Sequence, residues 1–171
     1  MQDGVVRLDS LGAAHLEGLA DLGPDSDVQR FTHVPSPWEE GFERTWIERY
    51  NQDNGGRPAF AIVDDSSEEF LGMAALVRLD RTAREGEIGY IVTPAARGRG
   101  VAVRALRLLT YWAFAELALE RVELRIDVEN EASLRVAERA GFTREGVLRS
   151  LHFKQGSRAD VAVFSRLATD G

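Results

Sequence analysis

The 171 residues, 44% of them hydrophobic, are enough to build the core of one domain, and we expect residues 1–171 to fold as a single unit. Cysteine is absent, which excludes disulfides and thiolate chemistry and fits a reducing cytoplasm, and a net charge of −7 argues against general affinity for nucleic acid. No apolar run approaches the roughly 18 residues of a membrane span and the N-terminus lacks an apolar signal region, so we expect a soluble cytoplasmic protein without a membrane partner.

The first half of the chain predicts one short strand, two helices and a β-meander. Residues 5–8 are an apolar run typical of a strand, and apolar residues at helical spacing predict helices over 13–22 and 38–50. The segment 28–37 lies between these helices and contains two prolines, so it predicts a loop or a broken helix. Three consecutive strands are then predicted at 59–63, 70–79 and 86–92.

The second half predicts a long helix, a strand–helix unit and a closing hairpin. Apolar residues at helical spacing predict a helix over 101–117, with Arg104, Arg107 and Thr110 on its polar side. Strict alternation over 121–129 predicts a half-buried strand. Asn130 is placed to cap the following helix, which ends before Gly141. The last two strands are predicted at 142–153 and 159–167.

A strand, a Gly-rich turn and the long helix follow one another around residues 87–119. Gly98 and Gly100 allow unusual backbone dihedrals and close approach of a ligand to the amides. The free N–H groups and the partial positive charge of the helix N-terminus favour an anion, and Arg97 and Arg99 add charge. The stretch therefore predicts an anion-binding turn.

Two well-known phosphate loops are excluded by spacing. A dinucleotide fingerprint needs a small residue where Val103 stands, and the nucleotide-triphosphate loop needs a Gly-Lys-Ser/Thr triplet, which is absent. The segment 97–102, Arg-Gly-Arg-Gly-Val-Ala, instead resembles the Gln/Arg-x-x-Gly-x-Gly/Ala cofactor loop of the GNAT superfamily of acyl-CoA-dependent N-acyltransferases. The flanks strengthen this resemblance, since 89–94 is similar to the central strand of the family and 130–142 to its second signature.

The resemblance extends over most of the chain and is strongest to the branch that includes the ribosomal-protein N-terminal acetyltransferases. It implies an α/β (α+β) fold, in which a mixed central sheet of about six to seven strands is flanked by about four helices. It also implies acetyl-CoA as co-substrate, with the pyrophosphate on the amides of Gly98 to Val103 and the pantetheine arm along Tyr90 to Val92. The implied cofactor-binding residues are Tyr90, Ile91, Val92, Arg97, Gly98, Arg99, Gly100, Val101, Ala102, Val103 and Asn130.

Acyl transfer to an amine needs a neutral nitrogen, a stabilised oxyanion and a proton for the departing thiolate. Glu87, in the strand that would bear the cofactor, is the candidate base; the alternative is a solvent-facing charge. Many members of the superfamily use a tyrosine further along the second-signature helix as the acid, and here that region holds Glu138 and Arg139. Ser133 and Tyr90 are therefore both candidates for the acid.

The acceptor is the least determined part of the prediction. In the family the first helices and their connection line the acceptor side, which implies Phe31, His33 and Trp38 as contacts, with core packing as the alternative. The branch resemblance favours a protein or peptide N-terminal α-amine as acceptor, and the alternative acceptors are a polyamine, an amino acid or an aminoglycoside. The alternative function is a non-catalytic acyl-CoA sensor. The three histidines lack ligand spacing, so no metal is expected, and the oligomeric state stays open, with a homodimer as one option.

Overall fold

The computed structural model of the protein describes residues 1–51, 56–154 and 156–170. The connection after the predicted helix 38–50 and the connection between the last two predicted strands therefore lie partly outside the described residues. Seven strands form one mixed sheet in the order β1-β2-β3-β4-β5-β7-β6, which confirms the predicted sheet. The strands are Val6–Ser10 (β1), Ala59–Asp64 (β2), Phe70–Asp80 (β3), Glu85–Val92 (β4), Arg121–Asp127 (β5), Thr143–Lys154 (β6) and Ser157–Leu167 (β7).

Five α-helices, rather than about four, are present in the described part of the chain. They are Leu16–Leu22 (α1), Ser26–Phe31 (α2), Phe42–Asn51 (α3), Val101–Leu117 (α4) and Glu131–Ala140 (α5), and short 3₁₀ turns at Ala13–His15 and Pro94–Ala96 accompany them. The additional helix is α2, in a stretch predicted as a loop or broken helix. It forms because the Asp25 carboxylate caps it by accepting from the Val28 N–H at 2.9 Å. None of the described helices is long and apolar enough to cross a membrane.

The pairing of β4 with β5 decides where a site can form. Every other neighbouring pair in the sheet is antiparallel, whereas β4 and β5 are parallel and pair only from Glu85 to Glu87 on the β4 side. Beyond Glu87 the two strands separate, although β4 continues to Val92 along β3 and β5 continues to Asp127 along β7. In the part of the chain that the structure describes, the backbone of Tyr90 to Val92 therefore pairs with no strand on its β5 side.

Two hydrophobic cores cover the two faces of the sheet. One contains α4 and α5 together with inward-facing residues such as Leu76, Ile88 and Val122, and the other contains α1 to α3. Thr110 was predicted on the polar side of α4 but is 1% exposed, because it lies one helical turn from both Leu106 and Ala113 on the buried face. The predicted range of α4 and the half-buried character of β5 are confirmed.

Candidate active site

The separation of β4 and β5 opens a cavity of about 680 Å³, which we call the inner cavity. Its walls come from both faces of the sheet, since it reaches Glu87, Tyr90 and the start of α4, and also α3 and the first turns of α5. Glu87 and Tyr90 lie three residues apart and thus point to opposite faces of β4. The gap between the strands allows a single cavity to reach both side chains.

The Gly-rich turn forms one end of the inner cavity. Gly98 and Gly100 have φ values of 74° and 80°, in the left-handed region that favours glycine, and Gly100 is the N-cap of α4. The first helical bond runs from the Arg104 N–H to the Gly100 carbonyl at 3.2 Å, so the amides of Val101 to Val103 precede the hydrogen-bonded helix. A Cβ at either glycine would meet no atom within 4 Å. The turn therefore presents open space and unused amides to an anion.

The two arginines of this turn have different surroundings. The Arg97 guanidinium lies 2.6 Å from Asp25 and 3.1 Å from Asp27, and its Nε donates to the Val92 carbonyl at 3.3 Å. Arg97 therefore ties the turn to the start of α2, and two carboxylates offset its charge. Arg99 is exposed and forms no ion pair or side-chain hydrogen bond with any residue that the structure describes, and it does not line the cavity.

Tyr90, Ser133 and Asn130 meet where β4 passes the first turn of α5. The Tyr90 hydroxyl donates to the Ser133 carbonyl at 3.5 Å, and burial raises the pKa of Tyr90 to about 12, so the phenol keeps its proton at neutral pH. The Asn130 Oδ1 accepts from the Ser133 N–H at 3.1 Å, which confirms the predicted N-cap. Since the cap uses only the carbonyl oxygen of this side chain, its NH₂ group remains available as a donor to a ligand.

Glu87 lies on the opposite face of β4 and is mostly buried, with 18% of its side chain exposed. Its Oε2 lies 3.4 Å from the Arg125 Nε and 3.7 Å from the Arg78 Nε. Burial raises the pKa of Glu87 above its ordinary value, and the Arg125 and Arg78 guanidiniums hold back part of this rise. A carboxylate with a raised pKa at a cavity wall is suited to accept a proton.

A second cavity of about 580 Å³, which we call the outer cavity, adjoins the inner one between α2 and the β6–β7 hairpin. The His33 and His152 rings meet edge to face at the junction, with centroids 5.4 Å apart. The Lys154 ammonium donates to the Gln29 and Thr32 carbonyls and so connects β6 to the end of α2. Five residues line both cavities: Phe31, Thr32, His33, Asp127 and His152.

The three predicted acceptor contacts do not lie together. Phe31 and His33 line both cavities. Trp38 lines neither of them; it precedes α3 and packs against Phe42 and Trp46, over Gly23, where a Cβ would come within 2.0 Å of the indole ring. Its position among the aromatic residues of the second core corresponds to the packing alternative.

Several residues that line the inner cavity were not predicted as site residues from the sequence. They are Arg49, Tyr50, Arg57, Arg125 and His152. Alternation placed Arg125 on the polar face of its strand, but the sequence carried no signal for the pairing of that strand with β4. Among the described residues no group of three or more His, Cys, Asp or Glu side chains could hold a metal ion.

Comparison with known proteins identifies the family. Residues 6–143 match the model of the acetyltransferase (GNAT) domain. The chain is 37% identical over 148 residues to the "Putative ribosomal N-acetyltransferase YdaF" of Bacillus subtilis, covering 86% of this chain and 74% of that protein. It is 28% identical over 152 residues to the spermidine N(1)-acetyltransferase of Escherichia coli K12, covering 88% and 80% of the two chains.

The fold agrees with this assignment. The structure superposes with a TM-score of 0.87 on RimL, the ribosomal L7/L12 alpha-N-protein acetyltransferase solved with coenzyme A, over 99% of this chain and 97% of that chain, at 20% identity. The turn at the start of α4 and the opening between β4 and β5 fit the anionic and amide-bearing parts of acetyl-CoA. The protein therefore belongs to the GNAT family and is an N-acetyltransferase that uses acetyl-CoA as donor.

Proposed function

We propose that the protein acetylates the α-amino group of a protein or peptide N-terminus. The observation that carries the proposal is the charge around the acceptor side of the inner cavity. Glu87 and Asp127 supply carboxylates there, whereas three arginines, Arg49, Arg57 and Arg125, line the same region. Such a wall suits one ammonium next to carbonyl groups, and it disfavours a polycation. The relative named as a ribosomal N-acetyltransferase supports the same acceptor class.

The donor would be held mainly by backbone groups. The amides of Gly98 to Val103 and the N-terminus of α4 would bind its pyrophosphate, and the pantetheine arm would pair with the open edge of Tyr90 to Val92. The free amide group of Asn130 would donate to a carbonyl of that arm. Arg97 would act by fixing the turn to α2, since Asp25 and Asp27 already offset its charge.

Residues on the two faces of β4 would divide the proton transfers. Glu87 would accept the proton that the acceptor ammonium must lose before its neutral nitrogen attacks the thioester carbonyl, directly or through water, on the face covered by α1 to α3. Tyr90, a protonated phenol with a pKa of about 12, would donate a proton to the departing thiolate on the opposite face. Ser133 lines the same cavity, and its hydroxyl is the alternative proton donor. An α-amine, with an ordinary pKa of about 8, needs less help from a base than a lysine at about 10.4.

A small polyamine is the second candidate acceptor, because one relative is a spermidine acetyltransferase at 28% identity. A competition assay separates the two. The wild type is given acetyl-CoA with equal concentrations of trialanine amide, lysine with a blocked α-amine, and spermidine, and the products are measured by mass spectrometry. We expect the acetylated peptide α-amine to dominate. Dominant acetylspermidine would contradict the proposal, and acetyl-CoA binding without thiol release would instead indicate a sensor module.

We also propose a cytoplasmic location, where acetyl-CoA and newly synthesised protein N-termini are both present. The assay above applies to the purified protein and does not depend on this location. Expression of a fluorescent fusion would test it directly, and a membrane-bound or exported signal would contradict it.

A further inference from the structure

Arg125 occupies a special place in the cluster of charges around Glu87. Its guanidinium lies 3.4 Å from Glu87 and 3.5 Å from Glu123, and it also lines the inner cavity. Arg78, on the other side of Glu87, contacts the same two carboxylates but does not line that cavity in the described structure. Arg125 is therefore the guanidinium beside Glu87 that an acceptor in the cavity would meet.

The contacts of these two arginines also differ in strength. Arg78 makes close bonds to Glu85 at 2.6 Å and Glu123 at 3.1 Å, so its guanidinium serves mainly to cross-link β3, β4 and β5. Arg125 approaches no carboxylate of a described residue more closely than 3.4 Å. Several N–H groups of Arg125 are thus not saturated by close partners, and a carbonyl or carboxylate oxygen of an acceptor could use them.

The placement of Arg125 has an electrostatic consequence for the acceptor. An ammonium at Glu87 is attracted by the carboxylate, but a second ammonium on the same small molecule would enter the field of the Arg125 guanidinium. Water moderates this repulsion because Arg125 is exposed at the cavity wall, but it still acts at the short separations within the cavity. A carbonyl next to the reacting amine, as in a peptide, would instead find a donor.

We propose that Arg125 is a positioning and specificity-determining residue, which holds the Glu87 carboxylate at the wall of the inner cavity and disfavours acceptors that carry a second ammonium close to the reacting amine. The inference rests on the proposed function and specifies how the same site chooses its acceptor. It assigns Arg125 no proton transfer; its effect is exerted through Glu87 and through its own charge.

The test compares Arg125→Gln with Arg125→Lys, which keeps the charge, and with Arg121→Gln as a matched control. Arg121 belongs to the same charge cluster, through Glu123 and Glu145, but does not contact Glu87 or line the described cavity. Spermidine and trialanine amide are titrated calorimetrically into each protein loaded with CoA, and kcat/KM is measured for both amines. We expect Arg125→Gln to raise the preference for spermidine over the peptide about tenfold, while the other two variants keep the wild-type ratio.

A pH profile supplies a readout that a merely structural role would not change. The charged or titratable groups facing Glu87 are Arg78 from β3, Glu123 and Arg125 from β5, and His33 from the segment after α2. Because the Arg125 charge lowers the pKa of Glu87, its removal raises that pKa, and the acid limb of kcat/KM for the peptide should move to higher pH. Arg121→Gln should leave this limb in place.

Failure of the inference and failure of the proposed function give different experimental results. An unchanged spermidine-to-peptide ratio in Arg125→Gln, or an equal change in Arg121→Gln, would overturn the inference. If Arg125→Gln does not fold, wild-type affinities for propylamine and 1,3-diaminopropane decide it: the diamine should bind no more tightly, and clearly tighter binding would contradict the role of Arg125. If the wild type acetylates neither amine, the proposed function fails, and the binding ratios still decide the inference.

Discussion

The proposed donor side and the proposed acceptor side of the inner cavity are built in different ways. The donor side consists mainly of backbone from one continuous stretch, the end of β4, the turn at Gly98 to Gly100 and the start of α4. The acceptor side consists of side chains from separate elements, including Phe31, Glu87 and Arg125. A backbone site tolerates many changes of side chain, whereas a side-chain site can change its ligand through one substitution. With this assignment, one fold would be able to keep its donor and vary its acceptors.

The largest effect is expected from Glu87→Gln, which removes the proposed base without removing bulk. We expect kcat to fall about a hundredfold or more, with CoA affinity nearly unchanged, since the donor is held elsewhere. Because a base must be deprotonated and burial raises the pKa of Glu87, wild-type activity should decline with falling pH already above the ordinary pKa of a glutamate. Steady-state rates across pH measure kcat and its pH dependence, and calorimetry measures CoA affinity. A wild-type rate in Glu87→Gln would remove Glu87 from the mechanism.

The next effect distinguishes the two candidate acids. Tyr90→Phe should lower kcat by roughly a hundredfold if the phenol protonates the thiolate, whereas Ser133→Ala should then cost little, because the Ser133 backbone carbonyl that meets Tyr90 is retained. Tyr111→Phe is the matched control, since Tyr111 is 75% exposed on α4. Stopped turnover in Ser133→Ala with normal turnover in Tyr90→Phe would reverse the assignment.

On the donor side, Gly100→Val should weaken CoA binding by at least about tenfold, since it strains a residue at φ 80° and places methyl groups where the phosphate would approach. Arg97→Ala should cost less, because Asp25 and Asp27 already offset that charge. Gly41→Val is the matched control: Gly41 has φ 86° and equally open surroundings, but lines neither cavity. Equal loss of CoA affinity in Gly41→Val would mean that strain alone explains the effect.

The smallest effect concerns the cap of α5. Asn130→Ala should lower the free energy of unfolding by about 1 kcal/mol and also weaken CoA binding. Asn130→Asp keeps the oxygen that accepts from the Ser133 N–H but loses the NH₂ group. It should therefore preserve the free energy of unfolding and still weaken CoA binding. Denaturant titration and calorimetry give the two quantities. If Asn130→Asp binds CoA as tightly as the wild type, Asn130 is a cap alone.

The contrast between the two sides also explains what the sequence could predict. The proposed donor side is formed by residues that are adjacent in the sequence. The glycines of the turn are followed directly by the helix that begins at Val101, as predicted. The acceptor side depends on strand pairing: Arg78 and Arg125 meet at Glu87 only because β3 and β5 both lie next to β4. No local pattern in the chain encodes that neighbourhood.

Trp38 shows the same limit, because its contact joins two elements that are separate in the sequence, whereas α2 was missed although its cap is local. Helical spacing extended the second predicted helix back to Trp38, whereas α3 begins at Phe42. Trp38 instead fills the space left by the missing side chain of Gly23, a contact across two elements. The short α2 depends on a single capping carboxylate in a segment whose prolines dominate the local pattern.

The central claim is that the turn before α4 holds the donor by its pyrophosphate, and a calorimetric series on the wild type tests it most directly. CoA, dephospho-CoA and pantetheine share the arm that would lie along β4, and only the first two contain the pyrophosphate. Several amide hydrogen bonds to charged oxygens, together with the helix N-terminus, should make the binding of pantetheine at least about a hundredfold weaker. We predict that CoA and dephospho-CoA bind comparably and pantetheine much more weakly; equal binding of all three would contradict the account.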